Sequence, residues 1–236
     1  MAYDSEFIKQ SWFNGLSGWS GSNTFRSAAG TGPTGSETMA VGVALRVDAV
    51  PSGVQFIFAH NQTVAGGFYI FSSGANVHFV VFNGAGSDIA SSAYTIVAGD
   101  VGDMHTFLGT YSGGKVRLFH NGVQAGTDVT TTGYTAPTGA MQTAIGTRGD
   151  ASGPATDYTI LGALASDESA PTIAQAQHWH DTVRGRQRIV SFPQAGTTFM
   201  WARNPGAFSP WECEISGLGL TKAGSLVSEI DGWVFG

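Results

Sequence analysis

"HTFLGTYSGGKVRLFHNG", residues 105–122, holds two runs of alternating side chains on either side of a Ser-Gly-Gly turn and ends in Asn121-Gly122. Alternation with a period of two is the pattern of a strand with one buried face. "MHTFLGTY" therefore predicts one strand, "SGGK" a turn and "VRLFH" the returning strand. Asn121-Gly122 predicts a two-residue hairpin loop, because Asn and Gly tolerate the positive φ that such loops demand. "VQAG" then continues as a third antiparallel strand.

The same rhythm extends outward. "MAVGVALRV" (39–47) puts Val41, Val43, Leu45 and Val47 on one face and Gly42, Ala44 and Arg46 on the other, which predicts a strand with one buried side. "VQFIFA" (54–59), "GFYIF" (67–71) and "NVHFVVF" (76–82) follow, separated by Gly- and Asn-bearing turns, and read as a meander. "MQTAIGT" (141–147) and "DYTILGAL" (157–164) add further strands.

Composition agrees. Thirty-four glycines and eight prolines spread over 236 residues suit short strands and tight turns better than helices. Hydrophobic residues at 42% against charged residues at 12% describe a globular chain covered by Ser, Thr, Asn, Gln and Gly. A net charge of −6, with Lys9, Lys115 and Lys222 as the lysines, leaves no basic stripe for a phosphate backbone, so nucleic acid is excluded as a partner. No apolar run approaches the roughly 18 residues of a membrane helix, and "MAYDSEFIKQ" lacks the basic and apolar regions of a secretory signal. Cytosolic synthesis is expected, with the cell exterior or a virion surface reached by lysis or virion release. Cys213 stands alone, which rules out an intrachain disulfide and reads as a small buried apolar residue.

One segment breaks the strand rhythm. In "SDESAPTIAQAQHWHDTVRGRQR", Ile173, Ala176, His180 and Val183 fall at helical spacing, Pro171 suits a first turn, and Asp167 and Glu168 precede while Arg184, Arg186 and Arg188 follow. A short helix over about 171–183 is expected, with Gly185 to end it. The expected organisation is an N-terminal arm (1–37), a sandwich (38–192) and a C-terminal stretch of strands and tail (193–236). Trp12, Trp19, Trp211 and Trp233 lie outside the middle part, in Gly-rich sequence.

The middle resembles laminin G-like and related concanavalin A-like domains, pentraxins included. In these, a strand often carrying His is followed by "GTY" and a Gly-rich turn, a strand ending in "DG" or "NG", a strand ending in "IG", a "G.I" strand and a short helix. The corresponding pieces here are "MHTFLGTYSGGKVRLFHNG", "MQTAIGT", "DYTILGAL" and "TIAQAQHW", within about residues 39–185. Met104 stands where the family often has Trp, and Asn121 where Asp is common. The resemblance implies an all-β, two-sheet antiparallel jelly-roll sandwich with one short helix. It implies no ligand, because function on such folds is grafted onto loops and sheet faces.

Glucanases on this fold use closely spaced carboxylates on one strand. The pairs Glu212/Glu214 and Glu229/Asp231 have the i, i+2 spacing but not the three-acid run, so they read as solvated carboxylates and no catalytic residue is assigned. Asp150 and Asp157 in "RGDASGPATD", with Asp100 and Asp103 in "AGDVGD", are the oxygen donors a rim calcium site would use. Loop aspartates more often bond turns, so no metal ligand is assigned and calcium is left as the one cofactor to test. His178 and His180 point about 200° apart on a helix and read as ordinary helix residues. Arg148-Gly149-Asp150 spells an integrin-type tripeptide that three common residues produce by coincidence, and no G-x-S-x-G elbow is present.

Aromatics are the remaining clue, because rings stack on sugars and anchor interfaces. The sequence thus favours a non-enzymatic structural or attachment protein. In this reading the sandwich assembles through its arms with copies of itself or with other virion proteins, as phage capsid decoration or tail. Trp19, Trp211, Trp233, Asp150 and Asp157 are the candidate binding residues. The alternative is a free glycan-binding module, with or without calcium. A glycoside hydrolase or lyase is third.

Overall fold

A computed structural model describes residues 16–17, 19–20, 24–26, 36–60, 67–82, 88–134, 142–166 and 170–186, and the strand residues 199–202, 212–213, 221–223 and 227–228. In chain order the strands are β1 (Leu16–Ser17), β2 (Thr24–Arg26), β3 (Thr38–Val47), β4 (Val54–His60), β5 (Phe68–Ser73), β6 (Asn76–Phe82), β7 (Asp88–Ala90), β8 (Tyr94–Thr95) and β9 (Met104–Ser112). There follow β10 (Lys115–His120), β11 (Val123–Gln124), β12 (Val129–Thr130), β13 (Thr143–Ile145), β14 (Tyr158–Ser166) and the helix α1 (Ile173–Arg186). The series closes with β15 (Phe199–Ala202), β16 (Glu212–Cys213), β17 (Thr221–Ala223) and β18 (Val227–Ser228).

These form two antiparallel sheets. The first runs β11-β10-β9-β3-β14-β1-β18, with β12 on β10, β15 on β14 and β16 on β15. The second runs β17-β2-β13-β4-β5-β6-β7, with β8 on β6. Val41, Val43, Leu45, Phe107, Tyr111, Val116 and Leu118 from the first sheet meet Ile57, Phe58, Phe68, Ile70, Phe79, Val81 and Ile145 from the second in one buried core. Apolar area removed from water, at roughly 25 cal/mol per Å², is what holds the sheets together.

The opening stretch forms the expected unit. Ser112 pairs Lys115 across Gly113-Gly114, and His120 pairs Val123 across Asn121-Gly122, whose φ values are 49° and 78°. Gly109, in "GTY", is required for a different reason: a Cβ there would lie 2.1 Å from the Phe79 ring of the facing sheet. The "IG" token behaves likewise, since Gly146 has φ +76° and a Cβ on it would lie 2.0 Å from Trp19.

Pairing and burial bear on the expected arms. The sheets are not confined to residues 38–192, because Leu16 and Ser17 pair with β14 and β18, Thr24–Arg26 pairs with β13 and β17, and β15 pairs with β14. Trp19 is not an arm anchor. It is 2% exposed, in the core against Gly146.

The second face of β3 is also buried. Ala40, Gly42 and Ala44 form a trough of small residues, and α1 lays Trp179 into it: a Cβ on Gly42 would be 2.9 Å from the indole. Ala176, Trp179, His180 and Val183 face the sheet, whereas Ile173, expected on that side, is 60% exposed. The helix begins after Thr172, whose backbone N–H donates to Gln175 Oε1 (2.8 Å) while Gln175 N–H donates to Thr172 Oγ1 (3.4 Å), a reciprocal cap. It runs through Gly185 to Arg186, past the expected stop. Asp167, Glu168 and Arg188, invoked for its dipole, lie outside the described residues.

Candidate functional site

The outer face of the second sheet carries rings rather than a helix. A register irregularity between Phe56 and Phe58 sends both Ile57 and Phe58 into the core and leaves Phe56 facing outward. Phe56 is directly opposite Phe71 on β5, and Phe71 is directly opposite His78 on β6. The three rings therefore form a ladder across three strands, with centroids 5.8 and 5.6 Å apart and planes within 30° of parallel. Tyr69 stands edge-on to Phe56 and Phe71 at 5.3 and 5.4 Å. Phe56 and Tyr69 are buried, and Phe71 and His78 are half-buried.

Polar groups border this ladder. The loop 147–153 closes one side: Phe56 N–H donates to Gly153 O (2.7 Å), Thr147 Oγ1 donates to Ser152 O (3.0 Å), and Ala151 takes φ 67°. This brings Arg148 over the Phe56 ring at 5.6 Å, a cation–π placement. Its guanidinium grips Asp150 through both carboxylate oxygens, with Nε to Oδ1 at 2.9 Å, while Ser152 N–H and Oγ donate to Asp150 Oδ1 at 3.0 and 2.7 Å. These bonds hold the Asp150 carboxyl well below the usual range and push Arg148 up. Behind the loop, Arg26 Nη1 donates to Gly149 O (3.2 Å). On the far side, the Tyr69 hydroxyl donates to Asp88 Oδ2 (2.8 Å), and burial together with that carboxylate raises the Tyr69 pKa far above normal. His78 Nδ1 lies 3.0 Å from Ser91 O, which as a carbonyl can only accept, so Nδ1 carries the proton.

A second polar cluster sits at one end of the first sheet. His105 Nε2 donates to Asp100 O (3.0 Å), so in the neutral ring Nδ1 accepts, and His120 Nε2 donates to it at 2.8 Å. Tyr94 stacks on His120 at 3.5 Å and donates to both Asp100 oxygens (3.2 and 3.1 Å). Burial, then the neighbouring His105, lowers the His120 pKa to about 3, and Tyr94 is pushed up to about 12. Thr106 Oγ1, one residue along on the opposite face, meets His180 Nδ1 of α1 at 2.8 Å. These bonds tie strands, loop and helix together.

The candidate residues of the sequence scatter. Asp150 lies in the wall of the ladder site. Asp157 lies elsewhere: its carboxylate accepts from Gln55 Nε2 and from Ser52 N–H (3.3 Å), tying the strand ends. The Arg148-Gly149-Asp150 tripeptide closes an ion pair on itself instead of presenting two free charges. Asp100 bonds Tyr94 and Val97 N–H. Among the described residues no three His, Cys, Asp or Glu side chains gather into a group suited to a metal ion. His178 is exposed and His180 buried, on different faces of α1. Trp12, Trp211, Trp233, Glu214, Glu229 and Asp231 lie outside the described residues, and of Glu212 and Cys213 only the backbone pairing of β16 is described. The ladder residues Phe56, Tyr69, Phe71 and His78 were missed. Their signal was the apolar character of both faces of "GFYIF", which marks a strand covered on each side.

No family model matches the sequence, and no curated protein does. Solved structures match in fold. A candidate carbohydrate-binding protein from Bacteroides ovatus ATCC 8483 superposes with TM-score 0.57 at 10% identity, covering 88% of this chain and 59% of its own length. Domain 4 of AbnA, an extracellular arabinanase of Geobacillus stearothermophilus held in complex with arabinotriose, gives 0.51 at 14% identity over 67% of this chain and 73% of that one. The native heptameric SAP-like pentraxin of Limulus polyphemus gives 0.50 at 14% identity over 89% and 96%. The chain spans little over half of the Bacteroides protein and 37% of a botulinum neurotoxin receptor-binding domain of mosaic serotype C/D that it also matches. The fold is thus the concanavalin A-like jelly-roll sandwich that the succession of tokens implied.

Proposed function

We propose that this chain is a non-catalytic carbohydrate-binding module and that the outer face of its second sheet holds the sugar. The observation that carries the proposal is the ladder Phe56–Phe71–His78 with Arg148, Asp150 and Asp88 at its borders. A sugar has an apolar C–H face that packs on aromatic rings and a rim of hydroxyls that bond to planar charged groups, and this face offers both. The fold likeness to a domain held with arabinotriose supports the reading. Trp19, one of the residues expected to anchor assembly through arms, lies in the core. A glycan-binding module of this kind acts where glycans are displayed, on an exterior surface.

The test is a glycan-array screen of the full chain, repeated with Phe71→Ala and with calcium removed by chelation. Binding to defined saccharides that the Phe71 variant loses is expected, with calcium immaterial at this face. Saccharide binding unchanged by Phe71→Ala, or no binding to any saccharide, refutes the assignment.

A further inference from the structure

The charges around the ladder say more about the ligand than the rings do. Two guanidinium groups, Arg26 and Arg148, are matched by two carboxylates, Asp88 and Asp150. Arg148, which lies over the ring floor, has its fork occupied by Asp150, and Ser152 adds two donors that fix the carboxylate in place. Asp88 stands at the other border, where it accepts from the Tyr69 hydroxyl. An anionic sugar, a uronate or a sialylated glycan, gains a full counter-ion here only by taking Arg148 from Asp150, because a carboxylate on the remaining N–H groups of the paired guanidinium meets a cation whose charge Asp150 already offsets. Hydroxyl groups need no such exchange: carboxylate oxygens have lone pairs left to accept sugar O–H donors, and the guanidinium has further N–H groups to donate. Phe71 and His78 are the half-buried rings of the ladder, and Phe56 lies buried beneath Arg148.

Resting on the carbohydrate-binding reading, we infer that the ladder site selects uncharged oligosaccharides and rejects acidic ones, with the Arg148–Asp150 ion pair as the element that enforces the choice. Asp150 is then a specificity residue: it offsets the charge of the guanidinium that lies over the ring floor.

The experiment is an array of matched neutral and acidic oligosaccharides, galacto-oligosaccharides beside oligogalacturonides and desialylated beside sialylated glycans, probed with the native chain, Phe71→Ala, Asp150→Asn and Asp88→Asn. For the native chain, Phe71-dependent signals are expected on neutral members, with the acidic partner of each pair weaker by roughly fivefold or more at low salt and the gap narrowing at high salt. Asp150→Asn frees the guanidinium and should raise acidic signals several-fold relative to neutral ones, and Asp88→Asn should do so less. Acidic glycans bound as well as neutral ones through a Phe71-dependent site overturn the selectivity while leaving the binding reading intact. A neutral preference that Asp150→Asn leaves unchanged, in a variant whose circular dichroism matches the native chain, overturns the role of the ion pair. Absence of any Phe71-dependent saccharide signal removes both the reading and the inference.

Discussion

The two outer faces of this sandwich are built from similar strands and finished in opposite ways. The first sheet presents a trough of Ala40, Gly42 and Ala44 and fills it with α1, so that Trp179, Ala176 and Val183 complete a second core. The second sheet presents Phe56, Tyr69 and Phe71 and borders them with an ion pair and a hydroxyl–carboxylate bond. A face covered by a helix of its own chain has no exposed area left for a ligand. A face of rings edged by fixed charges keeps both stacking area and polar forks. On the proposed reading the first face serves stability and the second recognition, and substitutions should separate the two.

The largest effect on stability is expected from Trp179→Ala, which empties the trough. Loss of a fully buried Trp costs about 3–5 kcal/mol, read as a lower urea midpoint, with saccharide affinity unchanged below the transition. Gly42→Val tests the same contact from the other side, since its Cβ would start 2.9 Å from the indole. Overpacking of this kind costs about 1–3 kcal/mol, again without a binding phenotype. A large loss of binding in either variant would mean that the faces are not independent.

A smaller effect is written in the pH dependence of the first sheet. His120, facing His105, Asp100, Tyr94 and more distantly His180, has a folded pKa near 3 against an ordinary 6.5. The unfolded chain therefore binds a proton that the folded chain refuses, so this contribution is intact above about pH 6.5 and is lost as pH falls toward 3. Between pH 7 and pH 5 it amounts to roughly 1–2 kcal/mol. Denaturant titrations at both pH values should show a gap that His120→Gln narrows. An identical gap in the variant would place the titration elsewhere, with His180, whose pKa burial also lowers, next in line. The smallest stability change belongs to Phe71→Ala. Truncating a half-buried ring costs about 1 kcal/mol, yet saccharide affinity should fall about tenfold or more, as at other aromatic anchors.

How far the sequence could be read follows the same division. The hairpins of β9–β11 were legible because Gly113-Gly114 and Asn121-Gly122 act locally through backbone geometry. The glycines of "GTY" and "IG" were legible as tokens but not as physics, since the rings that require them, Phe79 and Trp19, arrive from far along the chain. Trp19 was misread because its neighbours are Ser and Gly, and nothing local reports a partner at Gly146. The ladder was hidden by the irregularity at Ile57. Strict alternation puts Phe56 and Phe58 on one face, while the extra residue sends one outward and the other into the core. Arg148-Gly149-Asp150 was legible as a loop, but that it folds across the rings depends on Phe56 bonding Gly153.

The most direct test of the assigned faces is hydrogen–deuterium exchange on the full chain with and without a saturating mixture of neutral arabino-, xylo- and galacto-oligosaccharides. Slower exchange is predicted in Val54–His60, Phe68–Ser73, Asn76–Phe82 and the loop 147–153, with Ile173–Arg186 unchanged. Protection centred on the helix and its sheet face, or no protection anywhere, would contradict the assignment of recognition to the second sheet.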